Sequence, residues 1–476
     1  MQTRKTKIVC TIGPASASRR VLKELLLAGM NVARLNFSHG THEDHGKALL
    51  TVRSLSERLG RPVAILLDLQ GPKIRTGRLE GGSVVLKARQ EWVVTPRKIV
   101  GKPGIIPVSY PRIARELARG DRILLADGEM ELEVVSRKGR DLVCRVLTGG
   151  ILGERKGVNL PGVKTVLPSL TRKDREDIRF GIEMGVDYMA LSFVRSARDV
   201  LALKRLLKAR GANIPVISKI EKPQALEDLE AILEASDGVM VARGDLGVEL
   251  SPEKVPIAQK RIIRLANEKG KWVITATQML ESMTEHARPT RAETSDVANA
   301  ILDGTDAVML SGETSVGRYP AASVRMMDRI ARETERAFPA GSISAPSRRG
   351  QAKGIPDAIS LAACAAADSL GLKAICCFTK SGFTAGLVSK HRPTVPIIAF
   401  THDRAVQRRL SLYWGVSARI VPLKRHTEAM FEALEGQLLR ERMVRTGDEV
   451  AIVAGIPLMI GGIANLLKLH VIGEKA

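Results

Sequence analysis

Ile214-Pro215-Val216-Ile217-Ser218 runs into Lys219-Ile220-Glu221, and Gly238-Val239-Met240-Val241-Ala242 runs into Arg243-Gly244-Asp245. Each stretch is an apolar run that ends in charge. Apolar residues on both faces suit a strand buried in a parallel sheet. Side chains two positions apart leave a strand on the same side. Lys219 is therefore expected to share a face with Glu221, and Arg243 with Asp245. Buried charge without a task is costly. A cation and two carboxylates at the C-terminal ends of neighbouring strands can hold a divalent metal beside an anionic substrate.

The same pattern extends outward. Lys7–Gly13, Met30–Phe37, Val63–Gln70, Tyr188–Val194, Trp272–Gln278 and Ala307–Thr314 are further apolar runs. Between them lie stretches with helical spacing, among them Ser18–Ala28, Arg172–Gly185, Ala197–Arg210, Lys222–Ala235 and Pro256–Gly270. Alternating strand and helix imply right-handed crossovers and a parallel sheet. Eight such units predict a TIM (β/α)8 barrel, whose active site sits at the C-terminal strand ends. Those ends carry Thr11, then Arg34, Asn36 and Ser38, then Asp68, Ser192, Lys219 with Glu221, Asp245, Thr277, and Ser311 with Glu313.

The unit pattern breaks after the third strand. Short alternating segments with glycine-rich turns, such as Ser83–Lys87, Arg122–Leu125, Glu131–Val135 and Asp141–Val146, predict a small inserted β-barrel domain. An insertion on a barrel loop can close over the site as a lid. After the helix Ala321–Ala337, the stretch Pro339–Gly354 reads as a linker. Helix Pro356–Leu370, strand Lys373–Thr379, helix Thr384–His391 and strand Val395–Thr401 then predict a C-terminal open-sheet α/β domain. The expected division is barrel 1–77 and 165–338, insert 78–164, and C-terminal domain 339–476.

The chain has 476 residues, 44% of them hydrophobic but only 3% aromatic, so an aliphatic core is expected. Five scattered cysteines (Cys10, Cys144, Cys364, Cys376 and Cys377) show neither metal-ligand spacing nor a disulfide framework. With a first strand close to Met1, this favours a cytoplasmic setting without a signal peptide. The longest apolar run, Val450–Ala464, is broken by proline and glycine and does not suit a membrane span. The net charge of +23 is spread over the chain, including Lys204–Arg210, Arg348–Lys353, Arg404–Arg409 and Lys424–Arg425, with almost no aromatics interleaved. Nucleic acid is thus the less favoured partner, and phosphorylated ligands suit the charge as well. His39, His42, Glu43 and His45 resemble a metal cluster by composition but fall where a helix is expected to start.

Taken together, the strings Cys10–Ser16 (CTIGPAS), Asn31–Gly40 (NVARLNFSHG), Gly71–Gly77 (GPKIRTG), Gly157–Gly162 (GVNLPG), Ile217–Glu221 (ISKIE), Val241–Glu249 (VARGDLGVE), Ala276–Met283 (ATQMLESM), Arg288–Asn299 (RPTRAETSDVAN) and Leu310–Thr314 (LSGET) resemble the pyruvate kinase family over essentially the whole chain. The resemblance implies phosphoryl transfer from phosphoenolpyruvate to ADP in the last step of glycolysis, giving pyruvate and ATP. It implies Mg2+ on Glu221 and Asp245, with Lys219 and Arg34 on the phosphate. Gly244, Asp245 and Thr277 would bind substrate. Thr277, backed by water and Ser311, would return the proton. Thr11, Asn36, His39, Arg75 and Lys156 are implied on the nucleotide side. Asn36, Ser38, Asp68 and the Leu69 carbonyl match the family's monovalent-cation site. Many members read Asp-Thr-Lys-Gly-Pro-Glu where this chain reads Asp68-Leu69-Gln70-Gly71-Pro72-Lys73. A tethered ammonium at Lys73 is expected to replace K+ and make activity K+-independent.

Thr379, Lys380, Ser381, Gly382 and Thr384 resemble the family's effector loop. Val453–Asn465 lacks the basic and aromatic residues of fructose-bisphosphate-responsive members. A monophosphate activator, a sugar phosphate or AMP, is expected, as is a homotetramer. Two rival readings keep parts of the pattern. A metal-dependent phosphoenolpyruvate or pyruvate lyase or aldolase would need no ADP. A non-catalytic basic paralogue would bind RNA.

Overall fold

The computed structural model describes residues 4–163, 165–338, 352–422, 426–456 and 463–474. Lys164, most of the expected linker, Lys424–Arg425, and Pro457–Gly462 within Val453–Asn465 lie outside them.

Eight parallel strands close into a barrel: β1 (Lys7–Ile12), β2 (Val32–Asn36), β3 (Ala64–Asp68), β4 (Tyr188–Leu191), β5 (Val216–Ile220), β6 (Gly238–Ala242), β7 (Trp272–Ala276) and β8 (Ala307–Leu310). Each pairs with its neighbours in sequence, and β8 returns to β1 with Lys7 opposite Ala307. The helices between are fixed by local chemistry. Ser18 caps Arg19–Ala28 by accepting the Val21 amide, and Gly29 ends it in the left-handed region at φ 116°. Thr41 with Asp44, Thr171 with Asp174, and Thr290 with Glu293 form capping boxes.

Three expectations need correction. Arg243 and Asp245 do not extend β6 on one face. The strand stops at Ala242, and both residues lie in the first turn of helix Arg243–Glu249. In that turn they point apart: Arg243 reaches Asp296, while Asp245 faces Lys73. The helix expected over Lys222–Ala235 is two, Pro223–Glu227 and Leu229–Ala235. Asp228 breaks it with non-helical backbone, and its carboxylate accepts the Ala197 amide at 2.9 Å. The strand expected to reach Thr314 ends at Leu310, because the Glu313 carboxylate turns back onto the Ser311 amide at 2.6 Å.

The insertion forms a six-stranded sheet in the order Val158–Asn159, Arg122–Leu125, Met130–Lys138, Asp141–Thr148, Glu91–Thr95, Ile105–Pro107. Ser83–Leu86 and Gly150–Gly153, distant in sequence, pair antiparallel as a separate two-stranded sheet. Trp92, Ile106, Ile123, Leu132 and Leu142 fill a core separate from that of the barrel. The C-terminal sheet has the order Val416–Ile420, Ile397–Thr401, Ala374–Phe378, Glu449–Ala454, Leu466–Val471, antiparallel only at the last strand.

This C-terminal unit caps the N-terminal mouth of the barrel. Leu412 joins Val9, Leu66, Ile217 and Ile274 in the inner layer of the barrel. Tyr188 donates its hydroxyl proton to the Arg409 carbonyl at 2.7 Å, and Arg392 pairs with Asp306 at 2.8 Å. Lys7, buried, donates to the Val416 carbonyl at 2.7 Å. With this mouth sealed, the C-terminal strand ends are the open face. No described helix is long and apolar enough to cross a membrane.

Candidate active site

β2, β3 and β5 deliver the charges. Arg34 donates from Nε and Nη2 to Asp68 Oδ2 at 2.8 and 2.7 Å, and from Nη1 to the Thr11 hydroxyl at 2.9 Å. Thr11 in turn donates to the Leu310 carbonyl, which ties β1 to β8. Lys219 Nζ stands 2.7 Å from Glu221 Oε1, 2.9 Å from the Ser192 hydroxyl and 3.5 Å from Asp68 Oδ1. Lys219 and Glu221 thus share a face as the alternation requires.

Burial works against each of these charges, and their mutual attraction answers it. Burial opposes the Lys219 ammonium, but Asp68 and Glu221 hold its pKa above the ordinary lysine value. Burial likewise opposes Asp68, yet Lys219 and Arg34 keep its carboxyl below the usual range. Glu221 goes the other way. Burial raises its pKa, and neither Lys219 nor the Phe193 amide, which donates to Oε2 at 2.7 Å, fully offsets it, while Asp245 raises it further. Lys219 is therefore a permanent cation, and Glu221 is a carboxylate that gains from a further positive charge.

A divalent ion fits that description. Glu221 Oε1 is buried and makes no hydrogen bond of good geometry despite its ion pair. Asp245 adds a half-buried carboxylate near enough to be felt. Two hard oxygens suit Mg2+, which keeps its other positions for water and substrate. No group of three or more His, Cys, Asp or Glu that could hold a metal occurs among the described residues. The histidines near His39 fall into other contacts, with His42 on Asp177 and His45 on the His39 carbonyl.

β6 and β7 build the neighbouring wall. Thr277 and Gln278 follow β7 in the left-handed region, at φ 68° and 54°, which is strained for residues with a side chain. Arg243 clamps this turn, donating to the carbonyls of Thr277 at 2.7 Å and Gln278 at 3.1 Å while paired with Asp296 at 2.6 Å. The Gly244 amide donates to the Thr277 hydroxyl at 2.7 Å. Thr277 gives its own proton to the Ala276 carbonyl. The Ser311 hydroxyl is buried and makes no hydrogen bond, so no direct bond links it to Thr277.

Comparison with known proteins places the whole chain. The family profile described as pyruvate kinase, barrel domain, matches residues 3–324, and the one described as pyruvate kinase, alpha/beta domain, matches 357–470. The pyruvate kinase of Geobacillus stearothermophilus is 49% identical over 474 residues, 99% of this chain and 81% of that protein. The pyruvate kinase of Sporosarcina psychrophila is 46% identical over the same spans. A crystal structure of a pyruvate kinase from Cryptosporidium parvum superposes with a TM-score of 0.92 at 39% identity, covering 98% of this chain and 96% of that one.

The chain belongs to the pyruvate kinase family.

The remaining residues expected of a pyruvate kinase are distributed as follows. Arg75 bridges to Gly157, and the Lys156 amide bonds Thr76, so Arg75 and Lys156 meet where insert and barrel join. His39 is exposed at the same cleft. Partial burial and the positive charges of Arg75, Lys73 and Arg34 lower its pKa. Lys73 Nζ lies 3.6 Å from Asp127 of the insert and 4.0 Å from Asp245. It makes no ion pair with Asp68. Within the monovalent-cation set, Asn36 Oδ1 accepts the Ser38 amide and the Leu69 carbonyl accepts the Ser192 hydroxyl. The effector-type loop is compact. The Thr379 hydroxyl accepts the Gly382 amide at 2.9 Å, and Lys380, Ser381 and Thr384 line a cleft of about 730 Å³ that also touches Trp272 of the barrel.

Three participants escaped the sequence reading. Ser192 was visible as a polar strand end, but its role joining Lys219, Asp68 and the Leu69 carbonyl was not. The Phe193 amide on Glu221 carries no side-chain signal at all. Glu249 binds Asn159 of the insert at 2.8 Å and Lys222 of the barrel at 2.5 Å, a latch made from positions far apart in sequence.

Proposed function

We propose that the strand-end cluster performs the family's reaction, phosphoryl transfer from phosphoenolpyruvate to ADP giving pyruvate and ATP, with the following division of labour. The observation that carries this is the Lys219 ammonium, held by Glu221, Ser192 and Asp68 at the floor of the open cleft. A cation whose pKa is raised cannot act as a proton donor near neutrality. It serves instead as fixed charge for the phosphoryl group in flight. Arg34, oriented by Asp68 and Thr11, binds the same phosphate. Arg75 and Lys156 meet the phosphates of ADP, whose terminal oxygen attacks phosphorus as the bond to the enol oxygen breaks. The insert, residues 78–164, acts as the lid that brings Lys156 in.

Glu221 and Asp245 would hold Mg2+, which when bound would supply Lewis-acid charge to the transfer. The amides of Gly244 and Asp245 and the Thr277 hydroxyl bind the substrate carboxylate. Thr277, already poised between a donor amide and an acceptor carbonyl, relays a proton to the substrate carbon, with water and Ser311 behind it.

Lys73 supplies a tethered ammonium in the cleft, and activity does not require K+. Its charge reaches His39 together with that of Arg34, which supports a role in the same field. The loop Thr379–Thr384 binds a monophosphate, a sugar phosphate or AMP. The protein acts as a cytoplasmic homotetramer.

The reaction is tested by measuring pyruvate from phosphoenolpyruvate and Mg2+ with and without ADP. Pyruvate only with ADP is expected, and ADP-independent turnover would point to a lyase. The effector reading is tested by the half-saturating phosphoenolpyruvate concentration with ribose 5-phosphate, glucose 6-phosphate or AMP. No shift with any of them rules it out.

A further inference from the structure

The insert carries a second cationic cleft at the end remote from the catalytic site. Its walls come from three separate segments. Arg97 follows strand Glu91–Thr95, Arg112 and Arg115 flank and enter the short helix Ile113–Glu116, and Arg137 and Arg140 belong to the hairpin joining Met130–Lys138 to Asp141–Thr148. They surround a cleft of about 450 Å³ whose other walls are Pro96, Pro111, Ala114 and Gly139. No lysine and no aromatic residue lines it.

The charges there are mostly uncompensated. Arg97 pairs with Asp141, and Arg137 donates to the Ala114 carbonyl at 3.2 Å. Arg112, Arg115 and Arg140 are exposed and have no carboxylate within ion-pair distance among the described residues. Keeping several guanidinium groups around one concavity is unfavourable by mutual repulsion, and a bound anion relieves it. Arginine, unlike lysine, offers paired N–H groups that match phosphate oxygens two at a time.

Distance separates this cleft from the ADP site. Met130 begins its strand next to the Ala126–Glu129 turn, where Asp127 approaches Lys73. Lys138 ends it eight residues on, about 26 Å away at the usual rise per residue. A ligand in the arginine cleft therefore does not occupy the catalytic phosphate contacts.

We infer that the Arg97–Arg112–Arg115–Arg137–Arg140 cleft is a binding site for an oligophosphate chain. Three unpaired guanidinium groups, two at the helix Ile113–Glu116 and one at the hairpin tip, match several linked phosphates better than one. Without an aromatic wall, the cleft lacks the main platform on which single-strand binders stack bases. The phosphates are thus the feature it is best built to recognise.

The test is calorimetric titration of the full chain with inorganic tripolyphosphate in metal-free, low-salt buffer, against the variant R112Q/R115Q/R140Q. These side chains touch nothing in the catalytic cleft, so turnover of phosphoenolpyruvate and ADP is unchanged and certifies the fold. Wild type is expected to take up one more tripolyphosphate per chain than the variant, with that site weakening about ten-fold or more as salt is raised. Should the triple variant lose turnover, R140Q alone, at the hairpin tip, is expected to weaken the same site. Equal uptake by wild type and variant overturns the inference. So does a short RNA that binds wild type more tightly than tripolyphosphate and is lost with the same arginines, which would make the surface a phosphodiester track.

Discussion

Lys219 Nζ and Glu221 Oε1 lie 2.7 Å apart, with the Glu221 side chain wholly enclosed. The pair is asymmetric. Lys219 stays charged, whereas Glu221 is held ionised in part by Lys219 and otherwise tends to protonate. Replacing Lys219 with Met removes the charge proposed to meet the phosphoryl group and the attraction that keeps Glu221 ionised. Turnover is expected to fall about 10²–10³-fold, the scale for losing one preorganised electrostatic contact. Mg2+ affinity should fall as well near neutral pH and recover as pH rises. Titrating Mg2+ against K219M at several pH values checks this, and an affinity flat with pH would separate Glu221 from the ion.

Gly244 offers a clean separation of folding from binding. A Cβ there would meet Thr277 Oγ1 at 3.4 Å, an ordinary contact that the fold accepts. The methyl would nevertheless stand beside the amide assigned to the substrate carboxylate. Gly244→Ala is expected to leave the melting temperature unchanged while KM for phosphoenolpyruvate rises roughly ten-fold, equivalent to ~1.4 kcal/mol. Loss of stability in place of affinity would assign Gly244 to packing.

The Lys73 ammonium is proposed to stand where other members of the family use K+. Turnover is expected to persist when K+ is replaced by a bulky organic cation. Lys73→Glu should make turnover depend on K+, since it removes the fixed ammonium and adds an anion near Asp245. A wild-type enzyme silent until K+ is added would reverse this assignment.

Asn159 and Lys222 both bind Glu249, the first from the insert and the second from the barrel. Glu249 is buried, so losing one partner costs about 1–3 kcal/mol. Asn159→Ala should loosen the tie between insert and barrel, and with it the closure proposed above. The expected signature is a rise in KM for ADP with KM for phosphoenolpyruvate little changed, read from steady-state kinetics in both substrates.

Lys7 governs a pH effect on stability. Burial, and then the positive charge of Arg4, push its pKa down to about 7, with Glu335 opposing. The unfolded chain protonates this lysine near 10.4. Between those values the unfolded state binds more protons, so stability rises with pH across roughly 7 to 10, by on the order of 1 kcal/mol per unit. Below pH 7 both states are charged and this contribution is flat. Denaturant unfolding from pH 7 to 9 should show the slope in wild type and a shallower one in Lys7→Met.

Much of this was legible in the sequence because periodicity and strand-end polarity are local signals. The eight barrel strands, the inserted sheet and the grouping of Arg34, Asp68, Lys219 and Glu221 follow from them. What failed was local geometry after a strand ends. Ala242 and Leu310 close their strands, and the two helical steps between Arg243 and Asp245 send Arg243 away from Asp245 toward Asp296. The alternation rule has no warning of such a turn. Backbone donors such as the Phe193 amide, and partners such as Asn159 with Glu249, are invisible for a different reason: their meaning exists only once distant segments meet.

The seating of Leu412 in the inner layer, with Tyr188 tied to the Arg409 carbonyl, bears on how this molecule could be dissected. The barrel does not supply its own stopper. Cutting the chain after the helix Pro320–Ala337 would leave an open drain lined by Val9, Leu66, Ile217 and Ile274, and would strand Lys7 and Asp306 without their counterparts. The catalytic half is therefore not a transplantable module. Any minimal or circularly permuted version must carry Arg392 and the Arg409–Val416 stretch with it.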